Sequence, residues 1–306
     1  MKNRDRFRET MGYGRPDRVP YFEEGIRKEV IDVWRRQGMP SKSEFLQRFP
    51  SDPRIEIEPE LDPLPPLKKR QGPWADLAEF RKRLNPTDHK RLPLNWKHLV
   101  RSLRSEETVR MLRVHRGLFL SMGVQAWSRF LELMFLLGEK PGIVSKAMEI
   151  QGEFAAELAE RILAKIDIDA AIFSEPIGGN EGPLISPRMY ADVVLKSYQP
   201  LLKVLNRHGV ETIIFRTFAN ARLLIPAILK YGFNCLWACE VNIKAMDYRE
   251  LRREFGKDLR LIGGIDLDAL RHGKQAIDRE LYEKVPPLLD EGGYVPLADG
   301  RIREDV

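Results

Sequence analysis

The chain has 306 residues and is 43% hydrophobic, enough to close one large core or two average domains. Its 51 Lys+Arg and 45 Asp+Glu are interspersed and leave a net charge of +6, so we expect no nucleic-acid-binding surface. The charged amino terminus lacks the apolar segment of a secretory signal, and the most apolar stretch, Phe130–Gly138, falls short of the ~20 residues of a membrane span. We therefore expect a cytoplasmic protein without membrane contact, and a core helix at residues 130–138.

Residues 38–96 are crowded with proline and charge and show no sustained hydrophobic period, which predicts an irregular insertion or cap. From about Trp127 the pattern is typical of two consecutive helices. Short apolar runs then alternate with amphipathic helices to the end of the chain. The runs predict five strands, DAAIF, VETIIF, FNCLWAC, DLRLIGG and GYVPL.

The fold class follows from the composition of these runs. CLWAC and LRLIGG are continuously apolar, as in parallel strands that helices cover on both faces. Additional strands at RVPYF and near VHRGLFL would bring the count close to eight, and no GxGxxG fingerprint follows a first strand. We predict an α/β protein with a (β/α)8 TIM barrel over residues 1–306 as a single domain, with 38–96 inserted; a doubly wound open sheet is the alternative.

Polar residues follow the predicted strands, at the end where barrels of this kind place their active sites: Glu175, Arg216, Glu240, Asp266 and Asp299. Asp266 also suits a helix N-cap. Glu240 directly follows an apolar strand, where an unpartnered carboxylate is costly, so we predict that it lies in a pocket. Glu175 belongs either to the pocket or to hydrogen bonds with loop amides, and Arg216 either to a substrate carboxylate or to a structural salt bridge.

The remaining candidates are few. Of five histidines, none with metal-ligand spacing, only His115 near a predicted strand is placed to reach a pocket. Cys235 and Cys239 are expected to be buried or free thiols. The sequence has no GxSxG, HExxH or GxxxxGK[ST] motif, which leaves a serine nucleophile and nucleotide hydrolysis without support.

Several long segments carry a family resemblance that covers nearly the whole chain. They are NRDRFRETMGYGRPDRVP, EPIGGNEGPLISPRMYADVVLKSYQPLLKVLNRHG, LIPAILKYGFNCLWACE, MDYRELRREFGKDLRLIGGIDLDAL and VPPLLDEGGYVPLAD. The sequence resembles the uroporphyrinogen decarboxylase family in its broad sense, which includes cobamide-dependent methyltransferases. The resemblance implies a (β/α)8 barrel with its pocket at the carboxyl ends of the strands.

The departures from the family pattern bear on the reaction. Where the decarboxylases carry an R-Q-A-G-R segment whose arginines meet substrate carboxylates, this chain has YFEEGIRKEV with Glu23 and Glu24. At the positions of the methyltransferase zinc ligands it has Arg216 and Phe218, which cannot form a thiolate site. Of the Asp-x-Asp-Gly-Asn pattern of other relatives it keeps Asn220.

The resemblance implies that three acids of the shared pocket remain as catalytic residues: Glu240, Glu175 and Asp299. We predict that Arg216, Asn220 and His115 bind a small-molecule substrate. We assign no metal; a divalent cation on the three acids is an alternative that Arg216 disfavours.

With the decarboxylase arginines missing, we predict methyl transfer from a small methylated substrate to a corrinoid carried by a partner protein. Tetrapyrrole decarboxylation and a non-catalytic binding or assembly subunit are the alternatives. The sequence stops where relatives continue into a closing helix, so we expect a homodimer that covers the exposed strand surface.

Overall fold

The structure is a computed structural model that describes residues 1–39, 41, 44, 47–68, 72–105, 107–239 and 245–302. The strands of these residues are β1 (Arg54–Ile57), β2 (Val109–His115), β3 (Ala170–Ser174), β4 (Thr212–Phe218), β5 (Cys235–Cys239), β6 (Arg260–Ile265) and β7 (Tyr294–Ala298). Their α-helices are α1 (Asn3–Met11), α2 (Lys28–Arg36), α3 (Leu77–Arg83), α4 (Trp96–Ser105), α5 (Gly117–Ser121), α6 (Trp127–Glu139), α7 (Pro141–Leu163), α8 (Pro187–Met189), α9 (Gln199–Arg207), α10 (Ile225–Lys230), α11 (Tyr248–Phe255) and α12 (Lys274–Glu291).

Internal contacts divide the chain into two compact units. The first unit comprises residues 1–54, 107–109 and 235–306, and the second comprises residues 55–106 and 110–234. In each unit the paired strands are neighbours in the sequence and run parallel, β2 to β3 to β4 in the second and β5 to β6 to β7 in the first. Continuously apolar strands covered by helices are the expected source of such sheets.

The register of the paired strands shows which side chains share a face of the sheet in the second unit. Ser174 lies opposite Arg216, and aligned residues of parallel strands point to the same face. A bulge in β2 then separates Arg113, aligned with Ile172, from His115, aligned with Phe173. The extra residue directs Arg113 and His115 to opposite faces, although their spacing in a regular strand would place them on the same one.

Helices cover the face that carries Phe173. The helical segment of residues 187–207 begins with α8, continues through a π-helical turn at Tyr190–Val194 and a 3-10 turn, and ends with α9. Its Tyr198 ring lies 5.1 Å from the Phe173 ring, centroid to centroid, and α7 packs against α9. The core of the second unit therefore lies between the sheet and these helices.

In the first unit a buried arginine ties the amino-terminal segment to the strands. Arg252 on α11 donates hydrogen bonds to the Tyr13 hydroxyl at 2.9 Å and to the Gly292 carbonyl at 3.0 Å. The Gly293 N–H in turn donates to the Thr10 carbonyl at the end of α1. These bonds connect α1, α11 and the turn that leads into β7.

All five strands predicted from apolar runs are confirmed, as β3 to β7. The strand expected near VHRGLFL is β2, which ends at His115 before α5 begins, whereas RVPYF at residues 18–22 forms no strand. Residues 38–96 contain β1 and α3 as unpredicted elements. The α/β class is thus confirmed; the described residues form seven strands, one fewer than the predicted barrel requires.

The helix expected at residues 130–138 exists as α6, but its interpretation as a core helix is wrong for one face. Leu133 and Leu137 are buried, whereas Phe135 is 68% exposed. Along the chain that the structure describes, no helix combines the length and the apolarity that crossing a bilayer requires. The single-domain organisation with an inserted segment stays a prediction.

Candidate functional site

The structure describes five of the six predicted site residues; Glu240 lies outside the described residues. Asp299 belongs to the first unit, and the other four belong to the second. In the second unit, Glu175 and His115 lie on the helix-covered side of the sheet, while Arg216 lies on the opposite face.

Glu175 is fully buried. Its Oε1 accepts a hydrogen bond from the Leu118 N–H at 2.8 Å, and its Oε2 accepts bonds from the Tyr198 hydroxyl at 2.6 Å and the Tyr190 hydroxyl at 3.1 Å. Burial raises the pKa of Glu175 to about 7, and the three hydrogen bonds only partly offset it. Neighbouring Gly117 has a φ of 76°, and a Cβ there would lie 2.5 Å from Oε1, so the site requires glycine.

Two tyrosines of one irregular helical segment reach the same oxygen of Glu175. Tyr190 begins the π-helical turn, and Tyr198 ends the 3-10 turn that follows it. Both hydroxyls donate to Glu175 Oε2, so this segment supplies two of the three hydrogen bonds to the buried carboxylate.

His115 lies beside this cluster, with its ring centroid 4.6 Å from that of Tyr198. The Gly117 N–H donates to Nδ1 at 2.9 Å, which places the ring proton of the neutral imidazole on Nε2. Among the described residues Nε2 has no hydrogen-bond partner. Burial lowers the pKa of His115 to about 3, so the ring is neutral.

The loop after β3 contains the glycine-rich sequence GGNEGP. It folds into a small hairpin with a bridge between Gly178 and Pro183, and Gly179 bridges to Asn220 after β4. The Asn220 side chain accepts from the Arg222 N–H at 3.2 Å, at the start of the 3-10 turn that precedes α10. The close backbone approach that glycine permits is therefore made to the chain itself, and the described contacts of the Asn220 side chain are local.

At the end of β7, Asp299 is buried, and its Oδ1 accepts from the Leu267 N–H at 3.2 Å. Asp266 accepts from the Asp268 N–H at 2.9 Å as the N-cap of the 3-10 helix Leu267–His272, which confirms its predicted structural role. Both acids thus support the same turn.

Arg216 belongs to an ionic cluster on the face of the sheet opposite Glu175 and His115. Its guanidinium donates to Glu56 Oε2 at 3.0 Å, and Arg113 donates to the same oxygen at 3.0 Å. Arg113 also pairs with Glu58 at 2.9 Å. The side chains of Arg216 and Glu56 are 12% and 16% exposed, so solvent screens this pair only partly. We call Glu56, Arg113 and Arg216 the acid-arginine cluster.

Sequence reasoning missed Glu56 and Arg113. Glu56 lies in the segment interpreted as irregular, and the signal that could have identified it is the alternation of charged residues and isoleucine in RIEIE, typical of a strand with one polar face. Arg113 interrupts the apolar run RMLRV, where a lone arginine indicates an inward-facing charge with a partner.

The first unit contains a paired arginine, Arg54 of β1, that the sequence did not indicate. The Arg54 guanidinium lies 4.9 Å from the Trp237 ring centroid and 3.3 Å from Glu24 Oε2. Glu24 therefore pairs with an arginine of β1. A cation held between an aromatic face and a carboxylate is a strong, oriented charge.

The described part of the chain contains no group of three His, Cys, Asp or Glu side chains arranged to hold an ion. Cys235 and Cys239 are buried and form no disulfide, as predicted, and burial raises the pKa of the Cys235 thiol well above its usual range.

The fold and the site together define an α/β protein of parallel strands with paired arginines and carboxylates near the strand ends. No family model and no curated protein matches the sequence. Among solved structures, the chain is similar to a methyltransferase from Methanosarcina mazei, with a TM-score of 0.61 and 13% identity over 99% of this chain and 94% of that one. At this identity the likeness shows the fold, and the resemblance to the uroporphyrinogen decarboxylase family stays a prediction.

Proposed function

We propose that the protein is a methyl-transfer enzyme whose acid-arginine cluster orients a methylated substrate that carries a carboxylate. The whole-length likeness to a methyltransferase supports the reaction class. The observation that supports a carboxylate on the substrate is that Arg113 and Arg216 both donate to one oxygen of Glu56. Two guanidinium groups that already share one carboxylate oxygen have the spacing to share another.

In this proposal the arginines bind and orient, and they do not take up or release protons. A methyl group leaves its nitrogen, oxygen or sulfur without the bonding electron pair, the acceptor supplies the new pair, and the leaving heteroatom takes a proton. A corrinoid on a partner protein is the proposed acceptor and supplies the nucleophile. Glu240, which directly follows β5 in the sequence, remains the proposed proton donor.

We propose supporting rather than catalytic roles for the other two predicted catalytic acids, Glu175 and Asp299. Glu175 accepts three hydrogen bonds within the core, so we propose that it supports the site from behind the sheet. Its backbone N–H donates to the Arg216 carbonyl at 2.7 Å, which links the buried acid to the strand that carries the arginine. Asp299 is proposed to hold the turn after β6 in place.

The test is a methyl-transfer assay with cob(I)alamin and a panel of methylated small molecules, with and without a carboxylate. Methylcobalamin formation, followed by visible absorbance, is expected only with carboxylated substrates. Arg216→Gln removes charge-assisted hydrogen bonds worth about 1.5 to 3 kcal/mol, which predicts a 10- to 100-fold loss in kcat/KM. Arg207→Gln, an exposed change in the same unit, is the matched control and should retain full activity.

Two outcomes would contradict the proposal. Absence of methyl transfer from every substrate, with free corrinoid and with corrinoid proteins, would remove the reaction class. Conversion of uroporphyrinogen to coproporphyrinogen would establish decarboxylation instead, a reaction for which the same arginines could bind substrate carboxylates.

A further inference from the structure

A basic cavity lies on the surface of the second unit, away from the acid-arginine cluster in both its residues and its elements. It has a volume of about 520 Å³ and is formed by the segment around residues 89–101. Ligand pockets in proteins commonly measure about 300 to 1,000 Å³, so the cavity is large enough for a small organic molecule.

The charges that line the cavity have one sign. Lys97, Arg101, His89 and His98 contribute to its wall, and none of the lining residues is acidic. Lys97 and Arg101 take part in none of the ion pairs of the described residues, whereas Arg113 and Arg216 are paired. His89 has Asp88 beside it at 3.5 Å, so the two α4 residues carry the uncompensated charge.

The spacing of these two cations is itself informative. Lys97 and Arg101 are four positions apart on α4 and therefore lie on one face of the helix, about 5 to 6 Å apart at Cβ. Like charges in this arrangement repel each other and destabilise a helix. An anion bound between them would reverse that repulsion, and a phosphate has enough oxygens to contact both.

An apolar strip completes the wall. Trp96, Leu92 and Pro93 line the same cavity, and Trp96 is partly exposed there. A cavity lined by an indole and by cationic groups suits a ligand with a flat ring and an anionic group, because the ring can stack while the charges hold the anion.

We propose that this cavity binds a small phosphate ester of a planar heterocycle, a nucleoside phosphate in the simplest case. Trp96 stacks on the ring, and Lys97 and Arg101 hold the phosphate. The site is separate from the acid-arginine cluster, and the inference does not depend on methyl transfer.

Calorimetric titration of the full chain with AMP, adenosine and inorganic phosphate tests the proposal. We expect saturable binding of AMP at one site, with adenosine and inorganic phosphate each at least tenfold weaker. The double variant Lys97→Gln/Arg101→Gln and the variant Trp96→Leu should each weaken AMP binding at least tenfold. Lys196→Gln, an exposed lysine elsewhere in the second unit, is the matched control and should bind AMP like the parent.

The following binding results would contradict the proposed site. No AMP binding at millimolar concentration, or equal affinity of the double variant and the parent, would overturn the site. Adenosine binding as tightly as AMP would overturn the role of the cations, and inorganic phosphate binding as tightly as AMP would mean an adventitious ion only. Thermal unfolding of each variant establishes that a loss of binding is not a loss of fold.

Discussion

The buried Glu175 should impose a measurable pH dependence on stability. Its pKa is about 7 in the folded protein against an ordinary value of 4.5. Between these two pH values the folded state holds more of the proton than the unfolded state does, so the free energy of unfolding falls as pH rises. The contribution is fully present below pH 4.5 and lost above pH 7. At about 1.4 kcal/mol per pH unit it amounts to about 3 kcal/mol.

The substitution Glu175→Gln removes this titration while keeping an amide oxygen that can accept from the Leu118 N–H and an amide nitrogen that can donate to the tyrosine hydroxyls. We expect urea unfolding of the parent between pH 5 and pH 8 to lose about 2 to 3 kcal/mol more than the variant does. Other titrating groups act equally in both proteins and cancel in the difference. Glu157→Gln, at an exposed position of α7, controls for the loss of one negative charge.

Parallel pH profiles for the parent and Glu175→Gln would refute the reasoning. They would mean that the carboxyl is solvated or paired with a cation in solution, contrary to its burial beneath Tyr190 and Tyr198. A variant with the predicted profile and an intact urea slope would support the cluster as described.

Three further changes probe the packing and charge of the second unit by urea unfolding. Gly152→Ala places a Cβ 2.0 Å from the Ser197 carbonyl oxygen, so it should lower the free energy of unfolding by about 1 to 3 kcal/mol despite a better helix propensity; an unchanged midpoint would contradict the close approach. Arg91→Met removes the buried guanidinium that donates to four backbone carbonyls, for an expected loss of about 3 kcal/mol in the free energy of unfolding. Stability equal to the parent would show that water replaces it. His115→Phe removes a buried ring whose pKa is about 3 instead of the usual 6.5. As pH falls from 6.5 to 5, the free energy of unfolding of the variant should therefore decrease by about 2 kcal/mol less than that of the parent. Identical acid sensitivity of the two proteins would argue against burial of the ring.

The strands that hydrophobic patterning predicted well are those buried on both faces. β3 to β7 contain unbroken apolar runs, and burial against helices is the dominant force on such segments. β1 escaped prediction because its charged residues have charged partners: Arg54 pairs with Glu24, and Glu56 belongs to the acid-arginine cluster. A strand that serves a polar site departs from the pattern that makes strands recognisable.

The side from which each candidate approaches could not be inferred from composition. The bulge in β2 adds one residue to a regular strand and turns His115 to the face opposite Arg113, while the hydrophobic content stays unchanged. Glu175 comes one residue after Ser174, which aligns with Arg216, so alternation places the side chains of Glu175 and Arg216 on opposite faces of the sheet although the sequence predicts both near one pocket.

The position of Glu56 between two guanidinium groups makes this carboxylate a resident competitor for any incoming anion. Weakly held ions such as chloride meet arginines that are already neutralised, and a guest must offer better geometry than the occupant to displace it. Discrimination of this kind costs affinity and gains selectivity. Substituting Glu56 would thus be expected to broaden the range of anions that the cluster accepts.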